Sequence, residues 1–195
     1  MKVAILSGTS RKNNNTLRVA KAIKNLHELQ NDEVEIVDFQ QYDLPFSGGE
    51  IDETNPTNFQ KHLLNTWQKA HLVYVLSPEY NWMMTPELSN LVNHYSGNHH
   101  APLYSNKVFA MVGVSSGIGG RIPTMQLCSV FEKIIFHLGQ FSVISPNKFE
   151  SHYTQKELDE NGNYIAETGY QNRLEKFVGY ASSLTQRFVS IEEVQ

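Results

Sequence analysis

Pro78-Glu79-Tyr80-Asn81 brings a carboxylate, a flat aromatic and an amide together directly after the apolar run Leu72-Val73-Tyr74-Val75-Leu76. The run reads as a buried strand. Proline removes a ladder donor and fixes its own φ, so the chain is expected to turn there. The backbone N–H groups of the turn join those side chains. Together they suit the rim of a planar heterocycle rich in acceptors, and they are poorly suited to gripping a metal or attacking an ester. Tyr80 and Trp82 would serve equally well as core or interface aromatics. Glu79 has no neighbour that would tune it as an acid, so structural hydrogen bonding is expected of it, within the chain or across a subunit boundary.

A second chemical segment is Gly8-Thr9-Ser10-Arg11-Lys12-Asn13-Asn14-Asn15-Thr16, which leaves an apparent strand and enters a helical pattern. Free N–H groups and the positive end of a helix dipole attract a phosphate. Hydroxyls and amides add donors, and Arg11 adds a charge-assisted bond. The plainer reading is an N-capped turn, since Ser, Thr and Asn are ordinary turn residues. A dinucleotide fingerprint needs three glycines, and only Gly8 is present. A Walker loop needs Gly-Lys followed by a hydroxyl, which is absent. Asp38 imitates a ribose-binding acid, although a strand-end aspartate is the commoner case. A mononucleotide phosphate fits best.

Ser115-Ser116-Gly117-Ile118-Gly119-Gly120-Arg121 forms a third segment, with glycines where backbone must approach something closely. Other chemistries find little support. His99-His100 is an adjacent pair in a loop-like stretch, without helical ligand spacing, and no metal is expected. Cys128 lies among Leu127, Val130 and Phe131, as a small core residue would. Ser7, Ser77 and Ser115 lack the glycine-flanked elbow of an esterase.

The elements that must position these segments alternate between strand and helix. Strands are expected at Lys2–Ser7, Glu33–Asp38, 72–77, 107–114 and 141–145. Helices are expected after the first loop, after an Asn55-Pro56 cap, after a Thr85-Pro86 cap, over about 123–138 and over 173–189. That alternation implies a parallel sheet with helices on both faces. The fold class is therefore α/β, a flavodoxin-like three-layer sandwich with a five-stranded parallel sheet of order 2-1-3-4-5. In that order the loops after strands one, three and four share the carboxyl edge, where such sheets bind ligands. The 195 residues fit a single domain, 1–195. A net charge of −4 offers nucleic acid no basic field. No apolar run approaches the roughly 20 residues of a membrane span, and no cleavable leader is evident. One cysteine permits no internal disulfide, and a cytoplasmic location is expected.

Taken together, these segments resemble the NAD(P)H-dependent FMN reductase family of flavodoxin-like proteins. The likeness runs from Val3 to about Pro146 and rests on Gly8-Thr9-Ser10-Arg11, on Pro78-Glu79-Tyr80-Asn81 followed by Pro86 and Leu88-Ser89-Asn90, and on Ser115 through Gly120. The resemblance implies that Thr9, Ser10, Arg11, Asn14, Asn15 and Thr16 face an FMN phosphate. It implies that Pro78, Glu79, Tyr80 and Asn81 line the flavin ring, with Ser115, Gly117 and Gly120 on its other border. NAD(P)H would be the co-substrate, and a quinone, flavin, azo or nitro compound or metal oxyanion the small-molecule acceptor; no catalytic side chain is required, because the flavin carries the chemistry. Asn14 stands where the family usually has serine, Thr16 where it often has asparagine, Ser89 where it has lysine, and Asn93-His94 where it has Asp-Trp. A homodimer or homotetramer is implied, and Tyr95, Ile135 and Phe136 read as apolar surplus available for it. The alternatives are a flavodoxin-type electron-transfer or flavin-binding protein without its own NAD(P)H reaction, and a protein of this fold that binds no flavin.

Overall fold

Apolar, β-branched runs form the centre of the molecule. The computed structural model describes residues 1–192; residues 193–195 of the expected domain lie outside the described residues. The strands are β1 (Lys2–Ser7), β2 (Glu33–Asp38), β3 (Leu72–Pro78), β4 (Val108–Val114), β5 (Val143–Ile144) and β6 (Phe149–Ser151). The helices are α1 (Asn15–Glu28), α2 (Asn58–Lys69), α3 (Pro86–Tyr95), α4 (Arg121–His137), α5 (Thr154–Glu157) and α6 (Tyr170–Glu192). The sheet is parallel, in the order β2-β1-β3-β4-β5, with β6 also on β4. The flavodoxin-like class and the expected strand order are both observed.

Strand alternation sorts the core into two layers. Ala4, Leu6, Val73, Val75, Phe109 and Met111 meet Phe59, Leu63 and Trp67 of α2, Leu88, Leu91 and Tyr95 of α3, and Leu127 and Phe131 of α4. Val3, Ile5, Tyr74, Leu76 and Val112 meet Val19, Ala20 and Ile23 of α1 and Leu174, Phe177 and Val178 of α6. Trp67, Tyr104 and Phe131 close the first layer with ring centroids 5.1–6.0 Å apart. Tyr95 and Ile135, expected as apolar surplus, are core residues at 1% and 8% exposure, whereas Phe136 is exposed.

Three boundaries depart from the sequence expectation. The cap of α2 is Thr57, whose hydroxyl accepts the Gln60 N–H while Gln60 accepts the Thr57 N–H, so this capping box displaces Asn55-Pro56. The expected fifth strand over 141–145 is confined to two residues, and a further strand follows it. Val143–Ile144 pairs with the first half of β4, the chain breaks at Pro146, which lacks a ladder donor, and Phe149–Ser151 pairs with the second half. Pro78 lies inside β3, opposite Val114. Leu76 accepts the Gly8 N–H and Glu79 donates to Val114, so position 78 faces the β1 side beyond the last β1 pair, Ser7 with Leu76. No donor is needed there, and proline fits.

At the opposite edge His27 is fully buried, with Nδ1 2.7 Å from Asp32 and Nε2 2.9 Å from the Tyr74 hydroxyl. The amino terminus completes the group at 2.6 Å from Asp32. Burial lowers the His27 pKa below 6.5, and Asp32 offsets only part of that. Unfolded chains therefore take up the proton first on acidification. This contribution to stability is intact above pH 6.5 and is lost as pH falls from there through the folded-state value. The melting temperature should decline in that window, and the decline should flatten in His27→Gln, measured by circular dichroism.

Candidate functional site

The loops after β1, β3 and β4 meet at the carboxyl edge and are stitched together by side chains. Thr85 caps α3 through the Leu88 N–H and donates its hydroxyl to the Gly8 carbonyl at 2.6 Å. Glu79 Oε2 accepts the Gly120 N–H at 2.6 Å, while the Glu79 N–H donates to the last residue of β4. The hydrogen bonding expected of Glu79 is thus within the chain, and it fixes the third loop against the fourth. Tyr80 turns to the first loop. Its hydroxyl lies 2.6 Å from Thr9 Oγ1, and the Arg11 guanidinium sits 3.9 Å above its ring.

In the first loop Thr9 is buried, Ser10 and Arg11 are exposed, Asn14 and Asn15 are half-buried, and Thr16 is buried. Asn14 is the N-cap of α1: its Oδ1 accepts the Leu17 N–H at 2.7 Å and its Nδ2 donates to the Arg11 carbonyl. Asn15 donates to Gln155. The buried Thr16 Oγ1 has no hydrogen-bond partner. An orphaned hydroxyl costs roughly 1–3 kcal/mol, and a ligand oxygen would relieve it. It lies in the first turn of α1, where the helix N–H groups and dipole favour an anion.

Ser10 carries the opposite signal. Its N–H donates to Glu87 Oε1 at 2.9 Å and its hydroxyl donates to the same oxygen. A carboxylate from α3 thus takes two donors that a phosphate would use, and it must withdraw when an anion enters. Glu87→Gln should bind FMN at least about threefold more tightly than the parent, measured by flavin fluorescence quenching.

Asn81 and Trp82 form the tip of a tight turn in which Tyr80 and Met83 exchange backbone hydrogen bonds. Both have positive φ, 48° and 61°, and Trp82 is 73% exposed. A bulky residue in this region is strained, and such strain collects at functional sites. Ser115 and Gly117 are half-buried and Gly120 is buried. Gly120 caps α4 at φ 101°, and a Cβ on Gly113 would stand 1.9 Å from its carbonyl oxygen. This backbone contact explains the glycine at each position.

Sequence reasoning missed the segment that backs the fourth loop. His152 Nδ1 accepts the Gly119 N–H at 3.0 Å, which leaves the ring proton on Nε2, 3.7 Å from Glu150. The Tyr153 N–H donates to Gly117, the Thr154 N–H to Ser115, and Gln155 to Ser116. Gln155 also accepts from Asn15, so it joins the first loop to the fourth. His152 and Tyr153 follow β6, and Thr154 and Gln155 open α5, both elements too short to read from periodicity. Asp38 is the strand-end aspartate of the plainer reading, capping Gln40. His94 binds the Pro45 carbonyl, and Asn93 donates to Ser89 within α3. Cys128 is buried and burial pushes its thiol up, against a nucleophilic role.

A parallel sheet in this order, with three polar loops stitched at its carboxyl edge, defines a flavodoxin-like fold. The profile of the NADPH-dependent FMN reductase family matches residues 1–149, and the chain belongs to that family. No curated protein sequence matches it. Among solved structures it resembles the flavoenzyme NAD(P)H:(acceptor) oxidoreductase FerB from Paracoccus denitrificans, at 20% identity and TM-score 0.67 over 93% of this chain and 97% of that one. An NADH:FMN oxidoreductase, EMOB, is similar at 13% identity and TM-score 0.63, covering 93% and 88%. An archaeal flavodoxin shares the fold at 14% identity and TM-score 0.55, covering 96% and 99%. Among the described residues no helix is long and apolar enough to cross a membrane.

Proposed function

We propose that the chain is an FMN-dependent oxidoreductase of one domain that takes hydride from NAD(P)H and reduces a small acceptor. Quinones, free flavin, azo or nitro compounds and metal oxyanions are the acceptor class, with quinone-reductase-like activity the leading form. The observation that carries this reading is the buried, unpartnered Thr16 hydroxyl in the first turn of α1, directly after the first of three loops that side chains bond together. The donor set fits a phosphate monoester.

Thr16, Ser10, Asn14, Asn15 and Arg11 would hold the phosphate, Thr16 with a free hydroxyl and Ser10 once Glu87 withdraws. Thr9 would act by holding Tyr80 in place. Pro78, Glu79, Tyr80 and Asn81 would border the ring on one side, and Ser115, Gly117 and Gly120 on the other. When bound, FMN supplies the hydride-accepting and hydride-donating chemistry. The protein orients it: Glu79 holds the Gly120 N–H, and His152 and Thr154 hold the fourth loop at fixed height. Rigid backbone of this kind is what electrostatic preorganisation requires. Exposed Trp82, Met83, Ile118, Ile122 and Met125 form an apolar fringe on the same loops and on α4. That fringe supports a homodimer or homotetramer, and a cytoplasmic location completes the proposal.

The test is anaerobic mixing of the FMN-loaded chain with NADPH and, separately, NADH. Rapid loss of the oxidised-flavin absorbance is expected, with reoxidation by a quinone. Bound flavin that neither nucleotide bleaches would make the chain an electron carrier of the flavodoxin type.

A further inference from the structure

A second cluster of chemically competent side chains lies at the far end of α3. The segment between β2 and α2 runs beside that helix, where Asn90 and His94 hold the Pro45 carbonyl at 2.6 and 2.8 Å. Farther along, Asp52 Oδ1 accepts the N–H groups of Thr54 and Asn55 and the Thr54 hydroxyl, a turn that sets the backbone of Glu53. After α3 the chain passes Gly97 into a 3-10 helix, Asn98–Tyr104. There His99 and His100 converge on one carboxylate oxygen. Glu53 Oε1 is 3.0 Å from His99 Nε2 and 3.5 Å from His100 Nε2, and the two imidazole centroids are 3.9 Å apart.

These separations suit a shared ion, although the 3.0 Å contact is by itself also an ordinary hydrogen bond. Two ligands on a tetrahedral zinc-type centre, with bonds of about 2.0–2.2 Å, lie roughly 3.4 Å apart. The two imidazole–carboxylate distances bracket that value, and all three ligand atoms fall within 4.8 Å of one another. A plain ion pair uses one imidazolium and leaves the other ring beside it without a role. Protonating both would place two cations in contact. His100 is also held in place, its side chain 12% exposed and the Tyr95 ring edge packed on it at 4.8 Å. The adjacent histidines carry no ligand spacing in sequence; the fold supplies the carboxylate from 46 residues away.

We propose that Glu53, His99 and His100 bind one divalent transition-metal ion of the zinc type, leaving at least one coordination position open. The site is separate from the three-loop rim, since α3 spans roughly 15 Å between its two ends. It does not depend on flavin binding. Its ion would pin the segment before α2 to the chain that follows α3.

The test uses tag-free full-length chain, stripped with a chelator and titrated with Zn²⁺ or Co²⁺ without flavin. One equivalent per chain is expected, with Co²⁺ giving visible d–d absorption and Zn²⁺ raising the melting temperature saturably. Glu53→Gln and His99→Ala, both at exposed positions, should each weaken binding by at least about tenfold and abolish the thermal shift, while exposed His137→Ala changes neither. Binding that survives Glu53→Gln and His99→Ala, or no saturable binding at about a hundredfold excess of metal, would overturn the proposal and leave an ion pair only.

Discussion

Thr16→Val should stabilise the flavin-free chain and weaken FMN binding, two effects of opposite sign from one substitution. The hydroxyl is buried without a partner, so replacing it with a methyl group of similar shape removes a desolvation cost. A gain of about 1 kcal/mol in unfolding free energy follows. In the bound state the same hydroxyl would donate to an anionic oxygen, and a hydrogen bond to a charged group contributes about 1.5–3 kcal/mol. FMN affinity should therefore fall about 10–100-fold. Chemical denaturation of the flavin-free chain and a fluorescence titration measure the two halves separately. A valine variant that loses stability and keeps its affinity would place the Thr16 hydroxyl in a purely structural role.

The largest stability effect is expected at Gly113→Ala. The added Cβ would meet not a side chain that can swing away but the Gly120 carbonyl oxygen 1.9 Å off, with the carbonyl carbon at 2.5 Å. Either β4 or the start of α4 must move, and both carry the fourth loop. Overpacking a rigid site costs about 3 kcal/mol, which for a chain of this size lowers the melting temperature on the order of 10 °C. The displaced Gly120 N–H would also leave Glu79, so flavin affinity should fall with stability. Gly117→Ala is the contrast on the same loop: its Cβ meets nothing within 4 Å. Its unfolding free energy should stay within about 0.5 kcal/mol of the parent. Equal losses at both positions, read by differential scanning calorimetry, would contradict the close-approach argument.

Much of this architecture was legible because local signals agreed with the global arrangement. The apolar runs of β1, β3 and β4 are buried on both faces and read as strands without ambiguity. Thr85-Pro86 announced the start of α3 to the residue. The rest depended on long-range pairing. Asn55-Pro56 and Thr57-x-x-Gln60 are both plausible helix starts, and only the reciprocal bonds of the capping box decide between them. The break at Pro146 and the three-residue β6 gain their identity from β4 alone, so His152 and Gln155 entered the site unannounced. The sequence marks Tyr80 and Glu79 as candidate rim residues but carries no signal for the directions of their side chains. Tyr80 turns towards Thr9 and Arg11, and Glu79 towards Gly120, because each partner comes from a different loop. Glu87, in the first turn of α3, holds Ser10 only because that helix packs against the first loop.

A titration comparing FMN with riboflavin, which differs only in lacking the phosphate, probes most directly whether the β1–α1 loop grips an anion. Two charge-assisted bonds lost together predict that riboflavin binds at least about a hundredfold more weakly. The preference should shrink in Thr16→Val and narrow further when Arg11 is replaced by alanine. Equal affinity for the two flavins would contradict the account, because Thr9 through Thr16 would then be an N-capped turn that holds nothing.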